Sequence, residues 1–94
     1  MFSNLTTEIF VGLKQMCQTC YYSVSAKSKC WKFMFDDHIG VALIKHEAFT
    51  KYDNWSIVAI KKENNEYFPI DTILMNVSEA QIFDYTNFIK ELYL

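Results

Sequence analysis

The sequence predicts an α+β domain: a four-stranded antiparallel meander with an N-terminal and a C-terminal helix packed on one face, in the order α-β-β-β-β-α. Three observations carry this. Apolar residues recur every three or four positions near both ends of the chain, the period falls to two between them, and short turns separate the period-two segments. Ninety-four residues, 51% hydrophobic and 17% aromatic, suffice for one core. With two glycines and one proline there is no linker composition, so residues 1–94 are read as a single domain.

Phe2, Leu5, Ile9, Leu13, Met16, Cys20 and Val24 form the first helical stripe, widened by Phe10, Cys17 and Tyr21, which predicts a helix running to near Ser25. Ser3 or Asn4 can cap its first amides, and Glu8 suits the positive end of its dipole. From Lys29 the period is two: Trp31, Phe33 and Phe35 share one face of a strand, Cys30, Lys32 and Met34 the other. "DDHIG" supplies Asp turn chemistry and a glycine able to take positive φ, and "VALIKH" returns as the second strand.

After the break at "FTKYDN", "WSIVAIKK" is β-branched and extended, and the asparagines of "ENNE" tolerate the left-handed turn conformation before "YFPIDTILM". Pro69 lacks the amide hydrogen a ladder needs, which places the last strand at an edge or gives it a bulge. Ser78 with Gln81 reads as a capping box, and Val77 with Ile82 as a hydrophobic staple. Ile82, Tyr85, Ile89 and Leu92 then form the buried stripe of the last helix, with Phe88 beside it and Phe83 and Tyr93 left over as candidates for an exposed apolar patch.

Several functional classes recede on composition. The N-terminus has no basic region followed by an apolar run, and no stretch approaches the roughly 18 apolar residues of a membrane span. Three cysteines, an odd number, fit reduced thiols in the cytoplasm better than a secreted disulfide framework. Net charge is −2, but residues 1–35 carry four lysines against Glu8 alone, whereas residues 36–94 carry five lysines against ten acids. All nine basic residues are lysine, without the guanidinium fork that favours bidentate phosphate and guanine recognition. The Lys-, Asn-, Ile- and Tyr-rich usage is what an AT-rich genome, such as that of a low-GC bacterium or its phage, tends to encode.

Cys17, Cys20, Cys30 and His38 form a C-x2-C-x9-C-x7-H series with the ligand types of a structural zinc site. The first pair falls on the apolar side of a helical pattern, however, where cysteine behaves as a small hydrophobe. Core packing is therefore the preferred reading, a small zinc-binding domain the second alternative, and no cofactor is expected. Redox chemistry would need a cysteine at a helix N-terminus, and no signature surrounds a Cys30, His38 or His46 nucleophile–base pair, so no enzyme is expected.

Lys27, Lys29 and Lys32 flank Trp31 in the manner of sheet platforms that stack bases, which makes a single-stranded nucleic-acid binder the first alternative. The preferred expectation is a small non-enzymatic interaction protein that binds a protein partner, an inhibitor of the phage or mobile-element kind directed at a host defence or nucleic-acid-processing enzyme, as anti-CRISPR proteins are. Asp36, Asp37, Asp53, Glu63 and Glu66 would meet a basic surface, with Tyr52 and Trp55 as aromatic anchors.

Overall fold

A computed structural model describes residues 7–24, 28–46, 54–71 and 73–94. Its elements are α1 (Thr7–Met16), β1 (Thr19–Val24), β2 (Ser28–Met34), β3 (Ile39–His46), β4 (Asn54–Glu63), β5 (Glu66–Pro69), β6 (Leu74–Ser78) and α2 (Glu79–Tyr93). All pairings are antiparallel; the sheet runs β1-β2-β3-β4-β5, and β6 continues along the same edge of β4. The expected α+β meander between two helices is this molecule's plan, with two departures.

The first helix is shorter than its stripe. It ends at Met16, and Thr19–Val24 pair residue for residue with Lys29–Met34 as an added edge strand. Cys17, Cys20, Tyr21 and Val24 fit a helical spacing, but Thr, Tyr and Val favour extended backbone, and the alternation of Cys20, Tyr22 and Val24 fits a strand equally well. The ladder offered by β2 decides between the two; it begins where the Gln18 amide donates to the Met34 carbonyl at 2.7 Å.

The second departure is in the last strand, which is split. β5 pairs with Ile60–Glu63 and β6 with the Asn54–Ile57 end of β4, where the register shifts between Trp55 and Ile57. Pro69 lies at the sheet edge as its missing amide requires, and the chain leaves the ladder after Ile70 donates to the Ala59 carbonyl at 3.0 Å.

Asn64 and Asn65 take φ of 51° and 64°, the left-handed pair that a two-residue hairpin turn favours. Gly40, by contrast, is not a turn glycine: it lies within β3 at ordinary φ. A Cβ there would stand 2.5 Å from the Phe33 carbonyl oxygen and 2.6 Å from Met34 Sδ, so space rather than φ requires glycine. The turn is closed by Asp36, whose Oδ1 accepts from the His38 and Ile39 amides, both at 2.7 Å.

One face of the sheet holds the main core. Leu13 of α1 and Ile82 and Ile89 of α2 are buried with Phe33, Leu43 and Ile57 of the strands. Trp31, Phe33 and Phe35 do point to the helices, and Phe10 lies edge-on to Trp31 at 5.0 Å. The cap of α2 forms as expected, with Gln81 Oε1 accepting from the Ser78 amide at 3.3 Å and Val77 and Ile82 both buried.

The last turns of α2 are rotated from expectation. Thr86 is buried and Tyr93 packs on the core, while Phe88 and Leu92 are 60% and 57% exposed. Spacings of three and four fit both stripes. Tyr93 wins the inner place because its ring can pack while its hydroxyl, donating to Asp71 Oδ2 at 2.7 Å, stays at the surface. Phe83, 41% exposed, lies over Gly12 of α1.

The opposite face carries a smaller buried group, Met34, Ala42, Val58 and Ile60. Its cover is made by the sheet itself. The rings of Tyr21 on β1 and Tyr67 on β5 stand 6.2 Å apart, although four strand spacings of about 4.8 Å would put those strands about 19 Å apart in a flat sheet. The sheet is therefore strongly coiled and concave on this face, and Gly40 and Ala42 in its middle strand give it room to close.

Candidate functional site

Two hairpin turns meet at one end of the sheet, joined where the Lys62 amide donates to the His38 carbonyl at 2.8 Å. This junction gathers Asp36, Asp37, Glu63 and Glu66, which are scattered in the sequence. Asp37, His38, Lys62, Glu63, Asn64 and Asn65 line a shallow polar groove there. Asp36 is spent on the turn, and its two backbone bonds, first that from Ile39, hold its carboxyl below the usual aspartate value. Glu63 lies 3.4 Å from Lys61 in an exposed pair and faces Glu66 directly across the ladder. Asp37, Glu63 and Glu66 remain exposed to solvent.

Of the expected aromatic anchors, Trp55 does not accompany these acids. Trp55 is 1% exposed and belongs to the main core, because its position in β4 points it toward the helices; its role as a surface anchor is corrected to packing. Tyr52 and Asp53 lie outside the described residues.

The lysine–aromatic platform is also divided by the pleat. Lys29 and Trp31 face the helices, where Phe10 and Tyr22 cover Trp31, whereas Lys32 faces the opposite side; Lys27 lies outside the described residues. Alternate residues of one strand cannot share a face, so Trp31 and Lys32 do not act together.

The four presumed zinc ligands do not converge either. Cys20 pairs with Phe33 on the helix face, Cys30 packs with Met34 on the concave face, and His38 is exposed in the turn beyond β2. Among the described residues no group of three His, Cys, Asp or Glu side chains could hold a metal ion. Cys17 follows the C-terminus of α1, its Sγ donating to the Leu13 carbonyl at 3.0 Å. Burial, and then the neighbouring Cys20, push its pKa up to about 11, and burial raises Cys20 and Cys30 as well.

The structure brings forward two surfaces that the sequence reading passed over. Between α2 and the β4–β6 edge lies an apolar groove of about 140 Å³, lined by Ile57, Ala59, Leu74, Phe88, Leu92 and Tyr93. On the concave face, Tyr21, Lys32, Lys62 and Tyr67 form a cluster in which Lys32 Nζ and Lys62 Nζ stand 5.3 and 5.7 Å from the Tyr67 ring centroid. Strict alternation along β1 would have revealed Tyr21 as a partner of Lys32; no local signal reveals Tyr67, which reaches the cluster only through sheet coiling.

Among the described residues no helix is long and apolar enough to cross a membrane. Comparison of the chain with protein-family models, curated proteins and solved structures finds no match.

Proposed function

We propose that the protein is a non-enzymatic binding protein that acts by occupying a protein partner, and that this partner is a defence or nucleic-acid-processing enzyme with a basic surface, inhibited in the manner of phage-encoded anti-defence proteins. The carrying observation is the groove beside α2. Phe88 and Leu92, more than half exposed, flank it with Leu74, and contiguous exposed apolar side chains of this kind mark contact surfaces. They take the anchoring role first expected of Trp55. Asp37, Glu63 and Glu66 give a separate acidic end suited to steering a basic partner. The three free cysteines suit a reducing cytoplasm, the compartment we propose.

The test is affinity capture of a stoichiometric partner by the wild-type protein, by Phe88→Glu and by a Glu63→Lys/Glu66→Lys double variant, with the captured enzyme assayed for loss of activity. Phe88→Glu should abolish capture, and the charge reversal should slow association and flatten its salt dependence. A partner retained by both variants, or turnover of a small molecule by the purified chain, defeats the reading.

A further inference from the structure

We infer that the concave face of the sheet carries a second binding site, for a short segment of single-stranded nucleic acid, with Lys32 and Lys62 holding phosphate and Tyr21 and Tyr67 offering ring surface to bases. This goes beyond the protein-binding reading and uses the opposite face of the sheet from the groove beside α2. It also differs from the Trp31 platform that the sequence suggests, since Trp31 is covered by the helix side.

The geometry starts from the pleat. Tyr21 is the direct neighbour of Lys32 across β1 and β2, and Tyr67 the direct neighbour of Lys62 across β4 and β5. Coiling of the sheet then brings the two pairs together, with the rings 6.2 Å apart and tilted by 59°. Lys62 Nζ stands 5.9 Å from the Tyr21 ring and 5.7 Å from the Tyr67 ring, and Lys32 Nζ 5.3 Å from Tyr67. Two ammonium groups thus converge on one phenol ring from strands β2 and β4.

Among the described residues neither lysine forms an ion pair, and Glu63, the nearest acid in sequence to Lys62, is paired with Lys61. Both ammonium groups stand beside the Tyr67 ring above an apolar floor of Met34, Ala42, Val58 and Ile60, and a phosphate brought to this face gains attraction from each. Tyr21 remains 44% exposed, so ring surface is open beside the ammonium pair. An anion alone would need only the lysines; the adjoining aromatic surface favours an anion that carries planar groups, which a single strand supplies without sequence preference.

The probe is a fluorescently labelled oligothymidylate of about ten nucleotides, within the usual span of such sites, titrated by anisotropy at several salt concentrations. Two phosphate contacts predict a slope of log K against log salt of about −1.4, and Lys32→Gln or Lys62→Gln alone should reduce it to about −0.7. Tyr21→Leu should leave the slope unchanged while weakening binding about five- to hundredfold. On the wild-type protein, independent of any variant's folding, the ring proton resonances of Tyr21 and Tyr67 should shift on titration. Absence of binding at low salt overturns the inference. So does polyglutamate binding as tightly as the oligonucleotide, which would assign the face to acidic protein segments, or a salt slope indifferent to both lysines.

Discussion

Gly12 and Gly40 differ in what stands where a methyl group would go. At Gly40 the obstacle is the backbone of β2, which cannot give way without breaking the ladder, so Gly40→Ala should cost about 1–3 kcal/mol in chemical denaturation. At Gly12 the nearest atom is Phe83 Cε2, at 2.7 Å on an exposed ring that can swing aside. Alanine gains about 1 kcal/mol of helix propensity there, so Gly12→Ala should lie within about 1 kcal/mol of wild type. Thr86 is 1% exposed and its hydroxyl has no hydrogen-bond partner among the described residues; Thr86→Val, of equal helix propensity and similar shape, should therefore stabilise by about 1 kcal/mol. Asp36 illustrates the pH dependence. Its folded-state pKa is depressed, so its contribution is present above the ordinary aspartate value of 3.8 and lost as pH falls below it. An NMR titration should show the His38 and Ile39 amide shifts moving with a common midpoint under 3.8. For Cys17 the sign is reversed: a pKa near 11 in place of 9.0 favours the folded thiol below pH 9, and at pH 8 leaves about a hundredfold less thiolate, so disulfide reagents should label it slowly.

At the scale of elements, α1 is tied down from outside itself. It ends at Met16, where Lys90 of α2 donates to the Met16 carbonyl at 3.2 Å, a cation at the negative end of the helix dipole. Lys90→Met keeps the stem but loses that bond, and should cost about 1 kcal/mol while increasing amide exchange in the last turn of α1. Strand β1 is an outer strand with five of its six residues exposed, whereas β3 and β4 are flanked on both sides and buried. Hydrogen exchange should accordingly be slowest at Val41–Leu43 and Ile57–Ile60 and faster in β1, with the β1 amides that bond to β2 protected on alternate residues. Uniform protection through Cys20–Val24 would return that segment to the helix first expected.

For the molecule as a whole, the sheet is used on both faces. The helix side supplies the larger core, and the concave side is closed by lysine stems and tyrosine rings over a thin apolar floor. This leaves two chemically distinct surfaces, an apolar groove beside α2 and a cationic, aromatic cluster on the concave face. Because Phe88 is 60% exposed, Phe88→Glu should change folding stability by no more than about 0.5 kcal/mol. Loss of partner capture in a variant with wild-type melting would place the effect at the surface, whereas a lowered Tm would assign Phe88 to packing.

The sequence by itself determined the class of fold, the central hairpins and the start of α2, because these follow from short-range physics: period-two alternation from Trp31 to Phe35, paired asparagines that accept positive φ, and a Ser–Gln cap. Tertiary structure decided what spacing leaves degenerate. Residues 19–24 satisfy a helical and an extended period, and only the free edge of β2 selects the strand; Ile82 and Ile89 are shared by two stripes, and only the reach of Tyr93 to Asp71 selects the one that turns Leu92 outward. The acidic end was legible as composition but not as a place, since its turns are brought together by the Lys62–His38 bond. The meeting of Tyr21 with Tyr67 was not legible, because proximity across a sheet depends on coiling, and coiling is a property of the assembled strands rather than of any one of them.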